Sequence, residues 1–298
     1  MRLIALTLAT MLAFAANSVL NRFAVAMFQT DPALFAVVRT VSGAVLLAGL
    51  LMLKGQRPPM QPRLQRLFGG GALALYMIGF SMAYLTLDAG VGALILFGGV
   101  QITMFGWAVV ERSAIPLSRW IGALVSMAGL AWLVWPAQGQ AAIDLGGIIL
   151  MGAAAIGWGA YSLAGRTTTD PLAATAANFI VAVPLVLPLL ILGGNGTWPG
   201  IGLAILAGAV TSGLGYALWY RILPDLTPSV AATIQLSVPV IALAGGLIGC
   251  APANGNGSAD GWVSGHRSKS QREATLLCAL LDVCSDAWAF MRCGCAVR

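Results

Sequence analysis

Nine apolar runs, each about as long as a bilayer core is thick and separated by short polar breaks, govern what this chain can fold into. They are Leu3 to Leu20, Pro32 to Leu53, Phe68 to Leu87, Gly90 to Val110, Leu117 to Trp135, Leu145 to Ala164, Leu172 to Leu192, Ile201 to Tyr220, and Pro228 to Ile248. A helical crossing takes ~20 apolar residues. In hydrocarbon each N–H and C=O must be satisfied within the spanning structure, and no run alternates as barrel strands do, so all nine read as helices. Only 9% of the 298 residues are charged, against ~25% in an ordinary soluble domain. That excludes a water-soluble globule.

The first run follows Arg2 and carries Ala13, Ala15 and Ala16, which gives it some likeness to a cleavable signal peptide. We read it as a retained helix, because cleavage would remove Asn17 and Asn21 from a bundle of eight further spans. Basic residues set the orientation. With the N-terminus cytoplasmic, that side receives Arg2, then Lys54, Arg57, Arg63 and Arg66, then Arg112 and Arg119, then Arg166 and Arg221, while the opposite loops receive Arg22. This is the positive-inside bias. The net charge of +6 sits in inter-helix loops and not on one face, so nucleic acid is not an expected partner.

The chain also repeats itself. Residues Phe14 to Arg22 run parallel to Trp158 to Arg166 at an offset of 144, and Gly92 to Ile102 parallel Val230 to Val240 at an offset of 138. The fold expected is all-α and integral to the membrane. It comprises two inverted five-helix repeats, the second incomplete, with about nine transmembrane helices and a poorly structured C-terminal tail. The first repeat covers residues 1–136, the second 144–249 and the tail 250–298. An odd number of helices per unit inverts the second copy, an arrangement that lets two halves rock about a midplane site.

Ala16-Asn17-Ser18 near the end of the first helix, Arg39 early in the second, Gly98-Gly99-Val100-Gln101 in the fourth and Glu111-Arg112 after it resemble the drug/metabolite transporter superfamily. More closely, the chain resembles its ten-helix branch built from two EamA-type repeats, over about residues 1 to 249. The resemblance implies a bacterial inner-membrane carrier, commonly an exporter, of amino acids, metabolites or drugs. The implied partners are the lipid bilayer and a small-molecule substrate, with homodimerisation left open. The four-helix multidrug exporters of the superfamily use a glutamate in their first helix, which this first helix lacks.

Where the first repeat has Glu111, the second reaches Gly249, and the chain then changes character. All five cysteines fall between Cys250 and Cys295, and Ala274 to Phe290 carries Asp282 and Asp286, too costly for a span. The reading is a reading-frame change after about Gly249 that replaced a tenth helix, and the alternative function is an inactive product lacking that helix. His266 is the single histidine, so residues 1–249 hold neither thiol nor imidazole. No metal site, cofactor or enzyme activity is expected in the membrane body.

Polar residues within spans are functional candidates because lipid penalises them. Arg39, with a donor fork that suits a carboxylate or phosphate, either contacts substrate or plays a structural part, snorkelling toward headgroups or binding a helix C-terminus as glue between helices. Asn17, Gln101, Asn178 and Gln235 either hydrogen-bond a substrate or join helices. Trp158 and Tyr161, three apart on one face, are candidates to stack on a substrate. Trp219 and Tyr220, at a run's end, are expected in the interfacial aromatic belt. Pro184, Pro188 and Pro239 read as kinks, and Gly98-Gly99 and Gly245-Gly246 as points of close helix approach. No span carries a carboxylate near its middle, so proton coupling through a buried acid has no evident residue.

Overall fold

A computed structural model describes residues 2–56, 63–87, 89–134 and 144–242. The tail with its cysteines, His266, Asp282 and Asp286, the loop positions Arg57 and Asp88, and Gly245-Gly246 lie outside the described residues. The elements are all helical: α1 (Arg2–Arg22), α2 (Pro32–Leu53), α3 (Arg63–Ala83), α4 (Ala89–Val110), α5 (Leu117–Val134), α6 (Leu145–Gly165), α7 (Pro171–Val186), α8 (Trp198–Leu206), α9 (Gly215–Ile222) and α10 (Pro228–Gln235). Among the described residues, seven helical stretches are long and apolar enough to cross a membrane. The chain is an all-α, multi-pass membrane protein. Of the nine expected spans, the fifth is helical over Leu117–Val134 and the ninth over Pro228–Ala242, where the description of each stops.

Helix starts follow from local chemistry. Asp31 accepts the Ala33 N–H at 2.7 Å and Pro32 follows it; Asp170 accepts the Ala173 N–H at 3.1 Å and Pro171 follows it. Asp144, Thr197 and Thr227 cap α6, α8 and α10 in the same way. A side-chain acceptor meets an orphan donor, and proline loses nothing where no N–H is needed. At the other end of α2, Gly55 takes a φ of +64° and Gln56 N–H reaches back to Leu51 C=O at 3.0 Å. That left-handed residue stops the helix.

Two crossings are longer than the apolar runs. α1 continues through a π-helical turn, Phe23–Met27, and the eighth crossing runs from Trp198 to Asp225. Within the latter, α8 and α9 are joined by a π-helical segment, Ala207–Leu214, and α9 ends in the 3₁₀ turn Leu223–Asp225. In α7, Pro184 lies inside the helix, and the helix gives way to a 3₁₀ turn, Leu187–Ile191, that contains Pro188. A missing N–H donor accounts for the change of winding.

Packing is inside out relative to a soluble protein. Val45, Met52, Ile102, Ile149 and Trp198 lie exposed on the outside, the last at 86%, whereas Thr10, Asn17, Arg39, Asn178 and Gln235 are buried. Hydrocarbon around the bundle explains both halves of that pattern. α3 lies along α6 and α7; α2 lies along α7 and the eighth crossing; α4 packs between α6 and α10. Glycines allow these approaches. A Cβ on Gly157 would sit 2.8 Å from Ala72 C=O and Tyr76 N, and one on Gly99 would sit 2.6 Å from Ala155 Cβ. At the crossing of α2 with the π-segment, a Cβ on Gly43 would sit 2.9 Å from Gly208 C=O, so backbone faces backbone there.

Candidate functional site

The middle of the bundle is built around Arg39. Seven residues beyond Pro32, its side chain enters the protein and is 1% exposed. Snorkelling is thereby excluded. Its Nε donates to Ser212 Oγ at 2.7 Å and its Nη2 to Tyr216 Oη at 2.5 Å, while Cζ lies 5.7 Å from the centroid of the Tyr76 ring. Among the described residues, the ion pair is Arg166 with Glu111, so no carboxylate neutralises Arg39. Hydroxyl dipoles and an aromatic face hold the charge instead, and a guanidinium has five N–H donors to place.

Asn17 enters the same network from α1. Its Oδ1 accepts from Ser212 Oγ at 3.3 Å and from Thr211 Oγ1 at 3.2 Å. The π-segment thus links two residues that are candidates from sequence through one hydroxyl, Ser212, that sequence did not single out, and Thr211 adds a second bond to Asn17. A π-helical turn re-aims side chains relative to an α-helix, and such turns gather at functional sites.

Against Arg39 stands an aromatic cluster. Trp158 lies 4.8 Å from Tyr216, 5.0 Å from Tyr76 and 5.3 Å from Phe14, ring centroid to centroid. It stacks on Tyr161 at 5.5 Å with the planes 25° apart. Its indole N–H donates to Gln235 Oε1, and Gln235 Nε2 donates in turn to Ala231 C=O at 3.1 Å. Gln235 therefore ties α10 to α6 while satisfying its own amide.

A second polar layer lies one turn further along α9. Asn178 Nδ2 donates to Tyr220 Oη at 3.0 Å, and Tyr220 Oη donates to Tyr161 C=O at 2.9 Å. Trp219 donates through Nε1 to Ser162 Oγ at 3.0 Å. Trp219 and Tyr220 are both buried, which corrects their assignment to an interfacial belt. The eighth crossing continues to Asp225, so these residues sit a turn or more inside it and not at its end. The Tyr161 hydroxyl is enclosed without a hydrogen-bond partner.

Six of the seven candidate residues, Asn17, Arg39, Trp158, Tyr161, Asn178 and Gln235, thus belong to one connected cluster. Gln101 stands apart from their hydrogen bonds. It is buried, and neither its Oε1 nor its Nε2 has a partner. Met104, three residues further along α4, has its sulfur 3.6 Å from Gln235 Nε2. The residues missed from sequence are Ser212, Thr211, Tyr76 and Phe14. Ser212 and Thr211 lie in a run of small residues, where a hydroxyl is an ordinary packing element.

Residues 145–248 match the EamA-like transporter family. Over 251 residues the chain is 43% identical to the uncharacterized protein PA1977 of Pseudomonas aeruginosa, covering 83% of this chain and 86% of that protein. The chain belongs to the EamA-like transporter family. It is also 27% identical over 182 residues to the uncharacterized transporter YwfM of Bacillus subtilis, covering 57% of this chain and 60% of the relative. A solved structure, titled only as the crystal structure of a protein, shares the fold with a TM-score of 0.69, at 18% identity and 94% coverage of both chains. EamA-like membership makes this a membrane transporter, and it places the buried polar cluster in a chain whose task is to bring solutes through lipid.

Proposed function

We propose that this EamA-like chain is a bacterial inner-membrane permease, oriented with its N-terminus in the cytoplasm, that exports small metabolites, amino acids or drugs by alternating access. Arg39 is the contact for a carboxylate or other anionic group, and Trp158, Tyr161, Tyr76 and Tyr216 form the apolar wall beside it. Asn17, Asn178 and Gln235 hold the helices that carry this wall and offer neutral hydrogen bonds. Gln101, buried with an unspent amide, is the second polar contact.

One observation carries the reading. A guanidinium at 1% exposure, without a carboxylate partner among the described residues, stands against aromatic rings in the middle of a bundle. A charge there costs ~3 kcal/mol or more, and an incoming anion would offset part of that cost. The arrangement of α2 and α7 supports two related units. Both open on Asp-Pro, both carry a polar residue seven positions after the proline, and both pack on the crossing that supplies its tyrosine partner.

The test is counterflow into proteoliposomes holding the full chain, with a panel of amino acids and organic acids. An anionic or zwitterionic solute should be taken up, and Arg39→Ala should weaken its apparent affinity by ~10-fold to 100-fold, the scale of one charged hydrogen bond. Equal uptake by correctly inserted Arg39→Ala would reduce Arg39 to packing. The competing reading, an inactive product, draws on the change in composition at Cys250, just past the end of the family match at residue 248. A chimera whose sequence after Gly249 is an apolar helix of spanning length separates the two. Transport by the chimera alone would favour the inactive reading.

A further inference from the structure

A cavity of about 450 Å³ lies on the outside of the bundle, where the end of α2 meets the start of α7 and the face of α9. Lys54 and Arg221 line it together with Asp170, Leu172, Leu214 and Leu218. Both cations are exposed, and neither belongs to an ion pair recorded among the described residues. The carboxylate is already engaged, since Asp170 caps α7 through the Ala173 N–H. The balance in the cavity is two cations against one capping acid.

From Leu214, the last residue of the π-segment, along α9 the lining residues form a single stripe. Leu214, Ala217, Leu218 and Arg221 are spaced three and four apart, so they share one helix face. Leu214 is 37% exposed. The stripe runs from an apolar stretch inside the membrane to a cation at its edge, joined there by Lys54 from the end of α2. Arg221 also lines a neighbouring cavity of about 220 Å³ with Arg2 and Asp225.

A free anion would use only the rim of such a groove. A cation pair above an apolar furrow that faces lipid matches a molecule with a phosphate at one end and acyl chains at the other. We propose that this groove binds an acidic phospholipid, the phosphate held between Lys54 and Arg221 and one acyl chain laid along Leu218 and Leu214. The site is separate from the Arg39 cluster and does not depend on what the protein transports.

The experiment uses the full chain in nanodiscs of equal parts phosphatidylglycerol and phosphatidylcholine, with retained lipid measured by native mass spectrometry after gentle detergent release. Phosphatidylglycerol should be enriched on the wild-type protein. Near a membrane surface each cation is worth about a factor of five, so Lys54→Gln with Arg221→Gln should lower that enrichment by roughly thirtyfold and Arg221→Gln alone by about fivefold. Arg112→Gln, outside the cavity, should leave it unchanged. The thermal midpoint of each variant verifies that it is folded. Equal retention of the two lipids, or undiminished enrichment in the folded double variant, would overturn the proposal. Displacement of the lipid by excess inorganic phosphate would also overturn it, by showing a phosphate site in place of a lipid site.

Discussion

Arg39 and Asn178 each stand seven residues beyond the proline that opens their helix, and each donates to a tyrosine of the same crossing, Tyr216 and Tyr220. The two tyrosines are one helical turn apart. The eighth crossing therefore holds α2 and α7 by the same device at two successive levels, once with a cation and once with a neutral amide. The difference between the partners is chemical. An amide is neutral, whereas a guanidinium carries a charge that no carboxylate among the described residues offsets.

Trp158→Phe retains a ring at the centre of the aromatic cluster and removes the donor to Gln235. Leaving that buried carbonyl oxygen unpaired should cost ~1–3 kcal/mol, read as a lower thermal midpoint in detergent. Adding Gln235→Leu should recover part of the loss, because the orphaned amide is then gone. A double variant no more stable than Trp158→Phe would show that the bond between the two does not matter.

Gly208→Ala and Gly202→Ala should part company, although both replace a glycine in the same crossing. A Cβ at 208 would meet the Arg39 carbonyl carbon at 2.7 Å, and one at 202 meets nothing within 4 Å. Overpacking against backbone predicts a loss of ~1–3 kcal/mol at 208. At 202 the better helix former should be neutral or slightly stabilising. Equal midpoints for the two variants would refute the close crossing of α2 with the π-segment.

Gln101→Leu removes two enclosed polar atoms that have no partner. It should raise the thermal midpoint, since an unsatisfied buried amide carries a desolvation cost of ~1–3 kcal/mol. If Gln101 serves as the second substrate contact, the same change should lower uptake in proteoliposomes. A more stable variant with unaltered uptake would assign Gln101 to packing.

The Glu111 carboxyl titrates below the usual carboxylate range. The Trp107 side chain is the largest cause, through a hydrogen bond, and the pair with Arg166 at 3.0 Å adds to it. A depressed value in the folded state means that the stabilisation is present above the ordinary glutamate pKa of ~4.3 and is lost as pH falls through the folded value. Both side chains are partly in water, so screening holds the pair below ~1 kcal/mol. Carboxyl NMR should show the Glu111 midpoint rise in Trp107→Phe and, by less, in Arg166→Gln. An unmoved midpoint in both would remove these contacts as the cause.

The helical, multi-pass character and the placement of most spans are legible because hydrocarbon leaves an apolar segment few choices; seven of the nine expected runs are long and apolar enough to cross among the described residues. Boundaries are less so. α3 begins at Arg63, five residues before the apolar run, since a helix can start in the interfacial region ahead of its apolar stretch. Trp219 and Tyr220 depart from the expected interfacial belt for a related reason: the apolar run ends at Tyr220, but the helix continues through Arg221 to Asp225. Arg39, Asn17 and Trp158 were legible as candidates because charge, amide and indole stand out in an apolar run. Ser212 and Tyr76 were not, because their importance arises only where separate helices meet.

Where α2 passes the π-segment, Gly43 and Gly208 let main chain approach main chain, with the Ser42 hydroxyl and the Phe179 ring closing in beside them. Helices joined by large interlocking knobs must unlock before they turn, whereas a crossing that rests on two glycines has fewer knobs to withdraw. Any tilt of the eighth crossing there would carry Ser212 and Tyr216 away from the guanidinium together, because both belong to that crossing and both bond Arg39.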